Sequence, residues 1–259
     1  EIREMSTKNV REITLLGQNI NAYQWNNVSF RELLEMIAQE IERIEGGIRW
    51  IRFLSSHPKN FSVKTIETIT RHRCFCRHLH LCVQHGSDRV LTAMNRRYTR
   101  AQYLELVDQI RAALPDVTLS TDILIGFPGE TETDFEETLD LIQQVRFLYA
   151  YTYHFNPREG TAAFSLPDRV PDEVKRRRLS AVIALQKEIT AELLNARIGE
   201  QVTVLIEGFS KKDAGELIGR TERDEMVVVS GDGSRIGEFA EIRLEALNGN
   251  TYKGKELEK

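Results

Sequence analysis

The sequence predicts an α/β protein: a parallel β/α barrel-like domain followed by a small antiparallel β-barrel. Three observations predict it. Between residues 10 and about 155, short β-rich segments alternate with amphipathic stretches. Alternation over five units means parallel strands joined by right-handed crossovers. The β-rich segments include apolar runs such as TLSTDILIGF, as strands buried on both faces require. After residue 200 the pattern changes to short alternating segments broken by Gly and Asp.

Each element has a local cause. The strand candidates are 12–16, 48–54, 78–83, 117–125 and 149–155. The helix predicted over 30–44 places Leu33, Leu34, Ile37, Ile41 and Ile44 on one face at helical spacing. The next, over 101–114, does the same with Leu104, Val107, Ile110, Ala113 and Leu114, and Pro115 follows its end. A third, over 131–145, opens with Thr131 and the acids Glu132, Asp134, Glu136 and Glu137, which suit the positive end of a helix dipole. Asn156, Pro157, Gly160, Pro167 and Pro171 mark a loop. A long helix then runs from about 172 to 197, with Gly199 ending it. The tail segments 201–207, 216–220, 226–230 and 239–244 read as a barrel of about five strands. The boundary is placed near 197–200, giving domains 1–198 and 199–259.

Composition narrows the function classes. With 41% hydrophobic and 29% charged residues, the chain has the make-up of a protein that buries a core. It has no apolar run of the roughly 18 residues a membrane helix needs, so no membrane partner is expected. The opening stretch has no signal-peptide shape, and three cysteines suggest a reducing cytoplasm, not a disulfide framework. The net charge of −4 announces no polyanion partner, so nucleic-acid binding needs a local basic patch.

In a parallel barrel, chemistry sits where strand C-terminal ends feed loops. Five clusters stand there: GQNIN from Gly17, SSHP from Ser55, QHGS from Gln84, GFPGE from Gly126 and HFNPR from His154. All carry polar, Gly or Pro residues, and together they favour a ligand site at that face. Glycines in the 126–130 loop let backbone amides approach a ligand; the plain alternative is a tight strand-to-helix turn. The loop lacks the Lys of a P-loop and is not GxGxxG, so a nucleoside triphosphate is not expected. Asp122, inside a strand, needs a partner, either structural or a ligand hydroxyl.

All three cysteines and four of six histidines fall between His72 and His85. Such density can bind zinc or an iron–sulfur cluster. Yet C-x-C-x5-C matches no standard structural-zinc spacing. His78, His80 and Cys82 would share one strand face at intervals of about 6.6 Å, which is awkward for one ion. The reading adopted is that the cysteines are small buried hydrophobes and that no metal ligand is assigned. The basic run 175–178 reads as a solvated helix face or a phosphate contact.

The segments REITLLGQNINAY, IRFLSSHPKNFS, HLHLCVQHGSDRVLTAMNRRYTRAQYLELV, STDILIGFPGETETDFEETL and YTYHFNPREGTAA closely resemble the radical-SAM methylthiotransferases. The tail, with EGFSKKDAGELIGRTERDEMVVV and IGEFAEIRLEALNGNTYKGK, resembles a TRAM domain, an RNA-binding barrel. The resemblance covers essentially the whole chain. It implies a partial, open parallel β/α barrel of the radical-SAM type followed by the TRAM barrel. The implied activity is the addition of a methylthio group to C2 of N6-isopentenyladenosine at position 37 of tRNA. The implied cofactors are S-adenosylmethionine and two [4Fe–4S] clusters; the implied partners are the tRNA anticodon loop and an electron-donor protein. In that chemistry a reduced cluster cleaves S-adenosylmethionine to an adenosyl radical that removes hydrogen from adenine C2, and a methylated sulfur is inserted; the cofactors carry the hard steps.

Two departures stand out. The family's CxxxCxxC cluster loop is absent from this sequence, as is the family's three-cysteine N-terminal domain, so the chain is expected to be a fragment that is inactive alone. Cys82 and His85 also stand where the family more often has Pro and Ser. By strand-end position and family pattern, Gly17, Gln18 and Asn19 are expected near the methionine end of S-adenosylmethionine. Gln84 and Ser87 are placed near the ribose, and Thr121, Asp122, Gly126 and Phe127 near the adenine or ribose. Tyr153, Phe155, Asn156 and Arg158 are expected to line the barrel mouth. Candidate RNA contacts are Lys211, Lys212, Arg220, Arg223 and Lys253.

Other readings stay open. The segments AMNRRYTR and SSHPK favour the tRNA branch over the sister branch that modifies an aspartate of ribosomal protein S12. The chain alone can also serve as an RNA-binding module. An aldolase-like barrel would want a lysine or a metal cage at the strand ends, and none of the five clusters contains a lysine.

Overall fold

The computed structural model describes residues 1–44, 47–54, 56–211, 213 and 215–257. Helix α1 (Ile2–Thr7) leads into strand β1 (Glu12–Leu15). A short hairpin, β2 (Gln24–Trp25) and β3 (Val28–Ser29), precedes helix α2 (Phe30–Arg43). A Ser29/Glu32 capping box starts α2 by satisfying two otherwise orphaned amides. Strand β4 (Trp50–Phe53) is followed by helix α3 (Val63–Arg71), capped by Ser62. Strand β5 (His78–His80), helix α4 (Asp88–Ala93) and helix α5 (Arg100–Ala113) come next. Strand β6 (Thr118–Ile125), helix α6 (Glu132–Val145), strand β7 (Tyr149–His154) and helix α7 (Asp172–Asn195) complete the first part. Capping boxes at Thr99 and Thr131 start α5 and α6.

β1 pairs in parallel with β4, β5 with β6, and β6 with β7. Parallel bridges from Ile51 to Phe75 and from Ser56 to Leu81 join the two groups. The spatial order is therefore the chain order, β1-β4-β5-β6-β7. A wall with no reversal of strand order is the arrangement of a β/α barrel, not of a doubly wound sheet. The wall is open, because β1 and β7 do not pair with each other.

Period-two alternation divides each strand between two environments. Leu79, Leu81, Leu119, Ile123 and Ile125 face out and join Tyr103, Val107, Ile110, Leu141 and Ile142 in one core. The intervening residues face the lumen: Glu12, Arg52, His78, His80, Ser120, Asp122 and the tyrosines at 149, 151 and 153. This lining is mostly polar.

The second part is a closed five-stranded barrel of β8 (Gln201–Phe209), β9 (Glu216–Thr221), β10 (Met226–Ser230), β11 (Phe239–Asn248) and β12 (Thr251–Glu256). One correction applies to the antiparallel expectation. β10 and β12 pair in parallel, and the order β10-β12-β11-β8-β9 closes on itself through the antiparallel pair β9–β10. Closure in this way removes the free edges an open sheet would expose.

The small barrel seats against the N-terminal ends of the large barrel's strands. Its 221–225 turn accepts hydrogen bonds from Arg52 at Thr221 O (2.7 Å) and Glu222 O (3.3 Å), and from Thr118 Oγ1 at Arg223 O (2.8 Å). Trp50, Cys76 and Leu205 bury one another there, with Phe239 edge-on to Trp50. Helix α7 spans both parts: Thr190 Oγ1 donates to Leu148 O and Tyr252 Oη donates to Leu194 O. The lower end of the lumen is thus closed, and the opposite end is left accessible. Among the described residues no helix is long and apolar enough to cross a membrane.

Candidate functional site

The upper lumen is built from residues two apart on neighbouring strands. His80 Nδ1 lies 2.9 Å from Ser120 Oγ, which also meets His78 Nε2 at 2.9 Å. His80 Nε2 is 3.2 Å from Cys82 Sγ and 3.7 Å from Asp122 Oδ2. Gln84 Nε2 reaches Asp122 Oδ2 at 3.5 Å. Tyr151 stands edge-on to His80, with ring centroids 5.7 Å apart. Backbone spacing along the strand had suggested that these groups stay apart. They do not, because side chains lean along the strand and the strands twist.

The environment sets protonation. Burial pushes the Cys82 thiol up to about 12 and the Cys74 thiol up to about 11, so both stay protonated. Burial pushes His78 down to about 4, so it is a neutral imidazole. Burial opposes charge on Asp122, but hydrogen bonding and charge at His80, with hydrogen bonds from Cys82 and Gln84, together hold the carboxyl below its ordinary range.

The 126–130 loop differs from its expected role. Glu130 Oε2 accepts from the amides of Gly126 (2.6 Å) and Phe127 (3.2 Å), and its other oxygen accepts from Arg178 at 2.7 Å. His85 lies 3.3 Å away. The loop amides are therefore satisfied within the protein and do not form a free anion cradle. Gly126 has φ +75°, and a Cβ there would collide with the Lys175 side chain, so only glycine fits. Only half of the 175–178 run is a solvated face: Lys175 and Arg178 are buried, whereas Arg176 and Arg177 are exposed, Arg177 pairing with Glu132.

The predicted residues fall into distinct groups. Asp122, Gln84 and Tyr153 converge on the lumen. Gln84 holds φ +70°, a strained conformation for a residue with a side chain. Gly17 and Gln18 lie exposed at the β1 exit, beside Asn19, whose buried Oδ1 has no hydrogen-bond partner. Ser56 Oγ, at the β4 exit, is likewise buried and unpaired. Ser87 and Thr121 turn elsewhere: Ser87 Oγ donates to Asp134 at 2.6 Å, and Thr121 Oγ1 accepts from Val83 N at 2.9 Å. Phe127 and Phe155 pack on each other with centroids 5.3 Å apart. Asn156 lines a recess of 590 Å³ with Arg169 and Arg176, and Arg158 is exposed beyond it.

Of the RNA candidates, Arg220 is bonded to Glu207 and Asp224, each at 3.0 Å, and Arg223 pairs with Asp116 at 3.1 Å. Lys253 lies 3.8 Å from Glu216, and Lys211 is exposed. Lys212 lies outside the described residues, as does Ser55 of the second strand-end cluster. Sequence reasoning did not assign Tyr151, and it weighed His80 only within the His/Cys cluster and Ser56 only within a strand-end cluster. The available signal was their strand parity with Asp122 or their position just past a strand.

The profile of the Radical SAM superfamily matches residues 1–142, over half of the chain. The chain belongs to the radical SAM superfamily. A TRAM domain profile matches residues 195–257, the closed barrel. The tRNA-2-methylthio-N(6)-dimethylallyladenosine synthase of Treponema denticola is 48% identical over 260 residues, covering 98% of this chain and 57% of the relative. Its counterpart in Thermoanaerobacter pseudethanolicus is 44% identical over 261 residues, covering 100% and 54%. The chain thus spans a little over half the length of these curated relatives. The Escherichia coli radical SAM enzyme coproporphyrinogen III oxidase shares the fold, with a TM-score of 0.57 at 11% identity over 90% of this chain and 54% of that one.

Radical SAM chemistry implies an iron–sulfur cluster and S-adenosylmethionine. The three cysteines do not fit a cluster. Cys74 packs in the outer core, Cys76 packs against Trp50 and Leu205, and Cys82 stands in the lumen. S-adenosylmethionine fits better: the unpaired Asn19 Oδ1 and Ser56 Oγ sit at strand exits beside the lumen, where buried polar atoms need partners.

Proposed function

We propose that this chain is the S-adenosylmethionine-binding barrel and RNA-binding tail of a methylthiotransferase acting on N6-isopentenyladenosine at position 37 of tRNA. The observation that carries this reading is identity of 44–48% to tRNA-modifying synthases along the whole chain. The accessible polar lumen supports it.

In this reading Asn19 Oδ1 and Ser56 Oγ receive the ammonium and carboxylate of S-adenosylmethionine, with Gly17 and Gln18 beside them. Asp122 and Gln84 hold its ribose hydroxyls. The bound cofactor supplies the methyl and adenosyl groups of the reaction. Tyr153, Asn156 and Arg158 border the mouth through which an adenosine enters, and the Phe127–Phe155 pair supports that wall from behind. Lys211, Lys212 and Lys253 contact tRNA phosphates, while Arg223 helps to seat the TRAM barrel through Asp116 and Arg220 ties Glu207 to Asp224 within it. Cys74, Cys76 and Cys82 do not serve as cluster ligands, so the chain by itself binds and does not turn over. The setting is cytoplasmic, with a separate protein donating electrons to the complete enzyme.

The test is binding by the purified chain. Expected are saturable binding of S-adenosylmethionine, weakened about tenfold or more by Asp122→Ala, and salt-dependent binding of an anticodon stem-loop carrying isopentenyladenosine. Binding of an S12-derived peptide in preference to that RNA would overturn the tRNA assignment. S-adenosylmethionine affinity unchanged by both Asp122→Ala and Gln84→Ala would overturn the site.

A further inference from the structure

Three side chains of the upper lumen converge by geometry alone, one of them the Asp122 carboxylate given above to the ribose, so the ion and the ribose compete for that oxygen. His80 Nε2, Cys82 Sγ and Asp122 Oδ2 all lie within 4.8 Å of one another, with the imidazole 3.2 Å from the sulfur and 3.7 Å from the carboxylate oxygen. A tetrahedral zinc ion, with bonds of about 2.3 Å to sulfur and 2.0–2.1 Å to nitrogen or oxygen, holds imidazole and thiolate about 3.6 Å apart and imidazole and carboxylate about 3.4 Å apart. The observed separations need shifts of a few tenths of an ångström.

The surrounding groups also suit a metal. Ser120 Oγ lies 2.9 Å from His80 Nδ1, so an Nδ1–H can donate to it and leave the Nε2 lone pair facing Cys82 and Asp122. Gln84 Nε2 lies 3.5 Å from the same Asp122 Oδ2 and restrains that carboxylate. Cys82 and Asp122 are only partly buried, which leaves an entry path from the lumen. Thiolate, imidazole and carboxylate together suit a borderline-soft divalent ion better than magnesium or calcium, which take oxygen ligands.

We propose that His80, Cys82 and Asp122 form a three-ligand site for one zinc-type divalent cation, with the fourth coordination position open to the lumen. Binding replaces the thiol proton by the metal, and that proton leaves to solvent. Cys82 is the ligand that makes the site: without its sulfur, His80 and Asp122 offer only two donors.

The test uses Co2+ as probe on the purified full chain, without S-adenosylmethionine, so that failure of the cofactor assignment does not affect it. Expected are one Co2+ per chain, a thiolate-to-cobalt charge-transfer band, and displacement of that band by Zn2+. Cys82→Ser removes the band, while Cys74→Ser and Cys76→Ser keep it. Ser120→Ala keeps the band and weakens Zn2+ binding about 10- to 100-fold. If Cys82→Ser fails to fold by circular dichroism, Asp122→Asn decides, and unchanged Zn2+ affinity in that variant overturns the site. Absence of the band in the unmodified chain at stoichiometric Co2+, or its survival in a folded Cys82→Ser, overturns it as well.

Discussion

Arg52→Met should loosen the seat between the two barrels. Arg52 is 5% exposed and sits where the strand wall meets the 221–225 turn. Its guanidinium donates to Glu12 at 2.8 Å, to Thr221 O at 2.7 Å and to Glu222 O at 3.3 Å, and lies 3.7 Å from Asp224. Methionine fills much of the same space but donates nothing. Two carbonyls then lose a charged donor, at about 1–3 kcal/mol each where no water replaces it. Glu12 and Asp224 lose a counter-charge, and breaking a buried pair costs about 3–5 kcal/mol. Both carboxylates retain some contact with water (14% and 21% exposed), which places the total near about 3–5 kcal/mol. At about 2–4 °C per kcal/mol for a chain of this size, the melting temperature falls by about 6–20 °C. Thermal unfolding followed by circular dichroism measures this, and limited proteolysis around 196–200 reads the loosened junction. Arg52→Lys should fall between the two, since a single ammonium cannot reach all these acceptors. A drop below about 2 °C for Arg52→Met, with unchanged cleavage, would refute the reasoning. It would mean that the apolar contact of Trp50, Leu205 and Phe239 seats the small barrel unaided.

Other expectations concern the loop, pH and RNA. Gly126→Ala should cost about 1–3 kcal/mol in denaturant unfolding, from the left-handed backbone and the collision with Lys175. Glu130→Gln should cost about 1–3 kcal/mol by removing one of the two carboxylates that meet the buried Arg178 guanidinium, Glu132 remaining at 2.9 Å, again read by unfolding. Two histidines should tilt stability with pH in opposite directions. Burial depresses His78 to about 4, so between that value and about 6.5 the unfolded chain binds the extra proton and stability falls as pH falls. His72 is opposed by burial, but hydrogen bonds to Glu42 and Glu35 raise it above 6.5; its contribution is complete below pH 6.5 and is lost as pH rises through the folded value. Unfolding curves of His78→Gln and His72→Gln across pH 4–8 should each remove one slope; if neither does, these assignments are wrong. Lys211→Ala should lower the slope of log binding constant against log salt for the anticodon stem-loop by about 0.7–0.9, whereas Arg223→Ala should mainly lower stability.

Much of the architecture was legible because it is written in local periodicity. The helices predicted at 30–44, 101–114 and 131–145 form at Phe30–Arg43, Arg100–Ala113 and Glu132–Val145. α3 was not legible, because VKTIETITR mixes β-branched residues with an apolar face that also buries Thr65 and Thr68. The site was only partly legible. Strand-end clusters lie at the accessible end of the lumen, and Asp122 was singled out. Thr121 is its neighbour in sequence and Ser87 ends the same strand-end cluster as Gln84, yet Thr121 Oγ1 accepts from Val83 N and Ser87 Oγ donates to Asp134 of α6.

Sequence alone determined the parallel strand–helix alternation, the change of pattern near residue 200 and the long motifs that mark the family, because each is carried by residues near one another in the chain. Only the tertiary structure decided which residues of each strand face the lumen. Period-two alternation splits strands such as HLHL into an apolar and a polar face, but only the helices packed outside show that the polar face lines the lumen. Tertiary structure also decided that β10 and β12 pair in parallel, and that Arg220 and Arg223 spend their charge on carboxylates. It brought His80, Cys82 and Asp122 together, and it joined Arg52 to a turn 169 residues away. Contacts at such distances along the chain follow from packing two barrels against each other, which no local pattern encodes.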